Sequence, residues 1–127
     1  MKKTLTLFSL LMICLLTIAQ NPCPQVIPAL QQWKGGKGTL NLPAQGSIVI
    51  NPSNETALKK TASILVEDLK ELMGWEYTIT TGKAKKNDIY LSLSQPDEQL
   101  GKEGYTLSIM NKVSIEAPTT QGVFWGT

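Results

Sequence analysis

The sequence predicts an α+β domain, a two-layer arrangement of a mostly antiparallel sheet with helices packed on one face. Six short runs alternate apolar and polar residues with a period of two, the signature of strands that bury one face and wet the other. A single longer stretch repeats its apolar residues at helical spacing. A helix with one apolar stripe and a sheet with one apolar face cannot stay unpaired in water, so each covers the other.

The first nineteen residues stand apart from that pattern. Lys2 and Lys3 precede an almost wholly apolar run from Leu5 to Ile18, and Thr17-Ile18-Ala19 places small residues at the −3 and −1 positions. These features predict a signal peptide over 1–19, cleaved before Gln20, with the product exported to the periplasm or the extracellular space. The run is too short for a comfortable membrane span. Neither Cys14, after Leu11-Met12-Ile13, nor Cys23, after Gln20-Asn21-Pro22, has the small-residue context of a lipoprotein. Cleavage leaves Cys23 as a lone cysteine, so export implies no disulfide framework.

The strands follow in order. Leu40 and Leu42 alternate, then Ile48 and Ile50 after Gly46, then Tyr77 and Ile79. Ile89, Leu91 and Leu93 come next, followed by Tyr105, Leu107 and Ile109, and finally Val113, Ile115 and Ala117. Asn111-Lys112 reads as a two-residue hairpin link, because Asn tolerates the positive φ of a tight turn. The helix lies between the second and third runs. Leu58, Ala62, Leu65, Leu69 and Leu72 form its stripe, widened by Ile64 and Met73. Asn51-Pro52 or Ser53 begins it, Glu55 suits the positive end of its dipole, and Gly74 stops it.

Thr119 or Thr120 then caps a second helix, whose Gly122-Val123-Phe124-Trp125-Gly126 segment is the last before Thr127. An apolar helix start at this place reads as the opening of an element that continues, so the chain is expected to be a fragment of something larger.

Composition narrows the chemistry. Of 127 residues 42% are apolar and 17% charged, histidine is absent, and all twelve basic residues are lysine. Imidazole bases, His-ligated metals and arginine clamps are therefore excluded. Without the leader, ten lysines face ten acids, because the leader carries two of the twelve lysines and no acid. A neutral, arginine-free domain is a poor partner for nucleic acid, and Lys83, Lys85 and Lys86 read as a solvated turn.

No local pattern predicts a catalytic, cofactor-binding or metal-binding residue. Asp97-Glu98 follows Pro96 in a polar loop, and Glu67-Asp68 lies mid-helix, where adjacent side chains diverge. Gly35-Gly36-Lys37-Gly38-Thr39 lacks the spacing and the following helix of a phosphate loop. Asn54-Glu55-Thr56 is a glycosylation sequon at a helix start in a bacterial-style export context. Trp33, Trp75, Tyr90 and Trp125 could stack on sugars; packing is the favoured reading, with Trp75 at a helix–strand corner and Trp125 at an interface.

Gly104-Tyr105-Thr106-Leu107-Ser108-Ile109, then Ile115-Glu116-Ala117, then Gly122-Val123-Phe124-Trp125-Gly126-Thr127, resembles the closing signature of the N-terminal domain of glycoside hydrolase family 20, the β-N-acetylhexosaminidases. Val26-Ile27-Pro28 and the helix around Leu58 to Leu72 sit where that family has its opening and first helix, so the resemblance spans residues 25–127. It implies a zincin-like accessory domain, over 20–127 with its last helix incomplete, that performs no chemistry. It implies as partner a catalytic TIM barrel following in sequence, through which alone the glycan would be met. In that barrel the substrate's acetamido oxygen attacks the anomeric carbon, oriented by an Asp, with the adjacent Glu as acid/base. The two-carboxylate nucleophile scheme does not apply to this family. The alternatives are a free-standing carbohydrate-binding or interaction module, or the accessory domain of another glycoside hydrolase family. A fragment with Phe124 and Trp125 uncovered is expected to be weakly stable or self-associating.

Overall fold

The computed structural model describes residues 20–27 and 29–127. The expected signal peptide over 1–19, with Cys14, and Pro28 lie outside the described residues. The described residues before Leu40 belong to one unit and Leu40–Thr127 form a second. Within the first unit, the Asn21 N–H donates to the Gly36 carbonyl at 2.8 Å and its side-chain amide to the Gly38 carbonyl at 2.7 Å.

The second unit carries the fold. Strand β1 is Gln45–Ile50, followed by a single 3-10 turn at Pro52–Asn54 and helix α1, Glu55–Met73. Strands β2 (Glu76–Thr81), β3 (Ile89–Leu93), β4 (Thr106–Ile109) and β5 (Val113–Ala117) follow, and helix α2, Thr120–Gly126, closes the order. The five strands form one mixed sheet in the order β2-β1-β3-β5-β4. Both helices pack on the same apolar face: Ile48, Ile50, Leu58, Leu65, Leu91, Ile115 and Val123 belong to one buried cluster.

The α+β class is as the sequence predicts, but the strand directions are not. β1 pairs in parallel with β2 and β3, and β3 in parallel with β5; only β4–β5 is antiparallel. Alternation reports that one face is buried and is silent on direction. Direction follows from the connections: α1 returns the chain to the starting end of β1, so β2 must run parallel to it.

Of the expected ends of α1, Gly74 stops it as predicted, whereas its N-cap is Asn54, with no side-chain cap bond, and Asn51 caps the 3-10 turn before it. The Asn51 side chain accepts the Ser53 N–H at 3.0 Å, and Pro52 takes the first position of the turn, where its missing N–H costs nothing. At the other end Gly74 adopts φ 68°, its N–H bonding the Lys70 carbonyl at 3.0 Å while that of Trp75 bonds Leu69 at 3.2 Å. The Gly74–Lys70 bond is the 5→1 bond of an αL cap, which glycine enters without steric cost.

Three finer expectations are corrected. The run at Leu40 and Leu42 is not a strand: β1 begins at Gln45, and Pro43, with no N–H to give, stands before it. Leu42 is nonetheless half-buried against the core, and the Pro43 carbonyl accepts the Tyr77 hydroxyl at 2.8 Å. Leu72 and Met73 are 82% and 56% exposed rather than part of the buried stripe. A 19-residue helix is about 28 Å long and a six-residue strand about 20 Å, so the last turn of α1 overhangs the sheet. The β4–β5 link is Met110-Asn111-Lys112, with Ile109 paired to Val113, and among the described residues the non-glycine residue at positive φ is Asn87, at 68°, not Asn111.

Candidate functional site

The surface with the clearest functional character is built around α2. Thr119 caps it, its hydroxyl accepting the Gly122 N–H at 3.0 Å and donating to the Lys102 carbonyl. Gln121 adds a 2.7 Å bond from its amide to the Glu103 carboxylate, so the segment before β4 is tied to the start of the helix. Gly122 and Gly126, four residues apart, face the sheet. A Cβ on Gly122 would lie 2.5 Å from the Gly104 carbonyl oxygen, and one on Gly126 2.5 Å from Ile115 Cγ2. The missing side chains let the helix backbone lie directly on β5. Val123 is wholly buried between them.

That docking fixes what points outward. Phe124 and Trp125 are 38% and 55% exposed, and their rings meet edge to face with centroids 5.3 Å apart. An adjacent pair of large aromatics held on a rigid helix, outside the core, is the kind of surface that a second domain covers.

The other aromatics divide as their positions dictate. Trp75 is half-buried at the corner between α1 and β2, packed on the core and stacked on Tyr77 at 6.1 Å. Tyr77 lies over Gly46, its cross-strand partner, where a Cβ would come within 2.7 Å of the ring. Burial, and to a smaller degree the Asp88 charge, raise the Tyr77 phenol above its ordinary pKa. Tyr90 is half-buried on the central strand β3, and Trp33 in the first unit is exposed, its indole N–H donating to the Asn21 carbonyl at 3.3 Å.

The motifs set aside in the sequence take up structural positions. Asp97 accepts the Gln99 N–H at 2.8 Å in a turn closed by Gly101, so its carboxylate is committed to its own backbone. Glu67 and Asp68 lie exposed on α1. The Gly35–Thr39 stretch is the turn whose carbonyls hold Asn21. The side-chain amide oxygen of Asn54, in the sequon, accepts the Leu93 N–H at 3.0 Å, joining the start of α1 to the end of β3. A shallow groove between α1 and β2, lined by Ile50, Glu55, Lys59, Ile79, Thr80 and Thr81, brings together one carboxylate and one ammonium with two threonines.

Sequence reasoning did not anticipate the bond from the Ser92 hydroxyl to Glu116, at 2.8 Å on the sheet face away from the helices. The pairing of β3 with β5 in register, Ser92 opposite Glu116, creates it. Among the described residues, no group of three or more His, Cys, Asp or Glu could hold a metal ion, and no helix is long and apolar enough to cross a membrane.

A small mixed sheet covered by helices on one face, with an adjacent aromatic pair turned outward on α2, defines an α+β domain. The family model for glycosyl hydrolase family 20, domain 2, matches residues 23–127, and the chain belongs to that family. A search of curated proteins found no match. Membership in this family implies a catalytic domain as partner in the parent enzyme.

Proposed function

We propose that this chain is the non-catalytic N-terminal domain of an exported β-N-acetylhexosaminidase, and that its role is to pack against the catalytic barrel. The family match across residues 23–127 carries this reading. The exposed Phe124–Trp125 pair on α2 supports it, supplying an apolar contact whose position is fixed by the close approach of Gly122 and Gly126 to the sheet. In the parent enzyme, substrate-assisted removal of a terminal β-linked N-acetylhexosamine belongs to the barrel. The leader ending at Ala19 directs the domain out of the cytoplasm.

The test is to assay the purified chain on an aryl β-N-acetylglucosaminide, alone and mixed with a separately expressed family 20 barrel. The chain alone is expected to show no turnover, and to raise the melting temperature of the barrel unless Phe124 and Trp125 are changed to serine. Hydrolysis by the chain alone, or a barrel indifferent to its presence, overturns the proposal.

A further inference from the structure

We propose that Gln20 is a modification site: released by removal of the leader, it closes on itself to pyroglutamate and gives the exported chain an uncharged N-terminus. The inference rests on the export reading above, in which the leader ends at Ala19. Cleavage there makes glutamine the first residue, with its side-chain amide carbon within reach of its own α-nitrogen. The α-amine has an ordinary pKa of about 7.7–8.0, so part of it is an unprotonated nucleophile at neutral pH. That nitrogen attacks the side-chain Cδ, a lactam N–Cδ bond forms, and the Cδ–Nε2 bond breaks. The departing nitrogen takes the proton that the α-nitrogen gives up and leaves as ammonia. No oxidant, cofactor or second molecule enters the balance, and holding both groups in one residue supplies the proximity.

The structure gives the ring room and fastens the chain immediately behind it. Gln20 is exposed. Asn21 is held on three sides: its N–H donates to the Gly36 carbonyl, its side-chain amide to the Gly38 carbonyl, and its own carbonyl accepts the Trp33 indole N–H. Gly35 lies against the Gln20–Asn21 peptide, where a Cβ would strike the Asn21 carbonyl oxygen and stand 3.2 Å from Gln20 Cβ. Gln20 is thus the one residue of the cleaved chain that stands ahead of this clamp. An exopeptidase that removed it would next reach Asn21 and release the Gly36–Gly38 turn. The lactam withholds the free amine on which such trimming starts, so closing Gln20 protects the clamp.

To test this, the full chain, leader included, is expressed in a bacterial host, and the exported product is stored at neutral pH before its intact mass is measured. The expected mass is that of residues 20–127 less one ammonia, with stepwise N-terminal degradation blocked until a pyroglutamate-specific peptidase removes the ring. Gln20→Ser, which keeps a polar residue after Ala19 and has no amide to close on, should show its full mass and a readable N-terminus. A product of residues 20–127 that keeps its ammonia and an open N-terminus overturns the proposal and leaves the export reading standing, as does a Gln20→Ser product that is equally blocked. A product that retains the leader, or begins at another residue, overturns both.

Discussion

Replacing Gly122 with alanine tests the seating of α2 on β5. Two effects oppose each other. Early in a helix, alanine gains about 1 kcal/mol over glycine in propensity. Against that, the new Cβ would stand 2.5 Å from the Gly104 carbonyl oxygen and 2.7 Å from Ala117 Cβ. One obstacle is backbone and the other belongs to a residue with no exposed surface, so no side-chain rotation relieves either. Overpacking of this kind costs about 1–3 kcal/mol, and because both contacts are rigid the upper half of that range applies. The net loss is about 1–2 kcal/mol. At roughly 4–8 °C per kcal/mol for a domain of this size, thermal unfolding should fall by about 4–15 °C. Ala117→Gly should restore part of it by removing the second obstacle. Gly36→Ala, which meets nothing within 4 Å, should stay within about 0.5 kcal/mol of wild type. A Gly122→Ala protein as stable as wild type or more so would refute the seating of α2 on β5.

Tyr77→Phe should cost about 0.5–1.5 kcal/mol at neutral pH through the lost bond to the Pro43 carbonyl. Because the folded phenol pKa is raised, its contribution is fully present below the unfolded value of about 10 and fades as pH rises through the folded one. Urea midpoints of the two proteins should therefore converge above pH ~10, and a gap that widens there contradicts the assignment. Asn54→Ala, which leaves the Leu93 N–H without its partner, should destabilise by about 1–3 kcal/mol. Asn54→Asp, which keeps the acceptor, should recover most of that in the same urea titration; equal losses in both would show that the bond is not the reason.

What could be read from the sequence was local and what could not was relational. The period of Leu58, Ala62, Leu65 and Leu69 places α1, Gly74 marks its end, and Asn51 and Pro52 mark the 3-10 turn that leads into it, because caps depend on residues within a turn of one another. The direction of the strands is not written in their alternation: Ile48 and Ile50 would face the helices whether β3 ran parallel or antiparallel beside them. Leu72 fits the stripe and still faces water, since helix length relative to the sheet is a property of the pair. At the α2 surface, Gly122 and Gly126 are visible as letters, whereas the backbone each must approach becomes known only when β5 and the Gly104 segment are in place. The Ser92–Glu116 bond joins residues brought side by side solely by the parallel pairing of β3 and β5.

That strand order also bears on how the domain assembles. Only β4 and β5 meet through a short turn; β1 must wait for β2 across the whole of α1, and β3 for β5 across the segment that contains β4. Pairings that close long loops come late, because the entropy of closure precedes any contact that offsets it. Strand β1 thus spends the early part of folding with Ile48, Val49 and Ile50 bare on both edges. Until β2 and β3 arrive, those three side chains are the part of the sheet most open to wrong pairing.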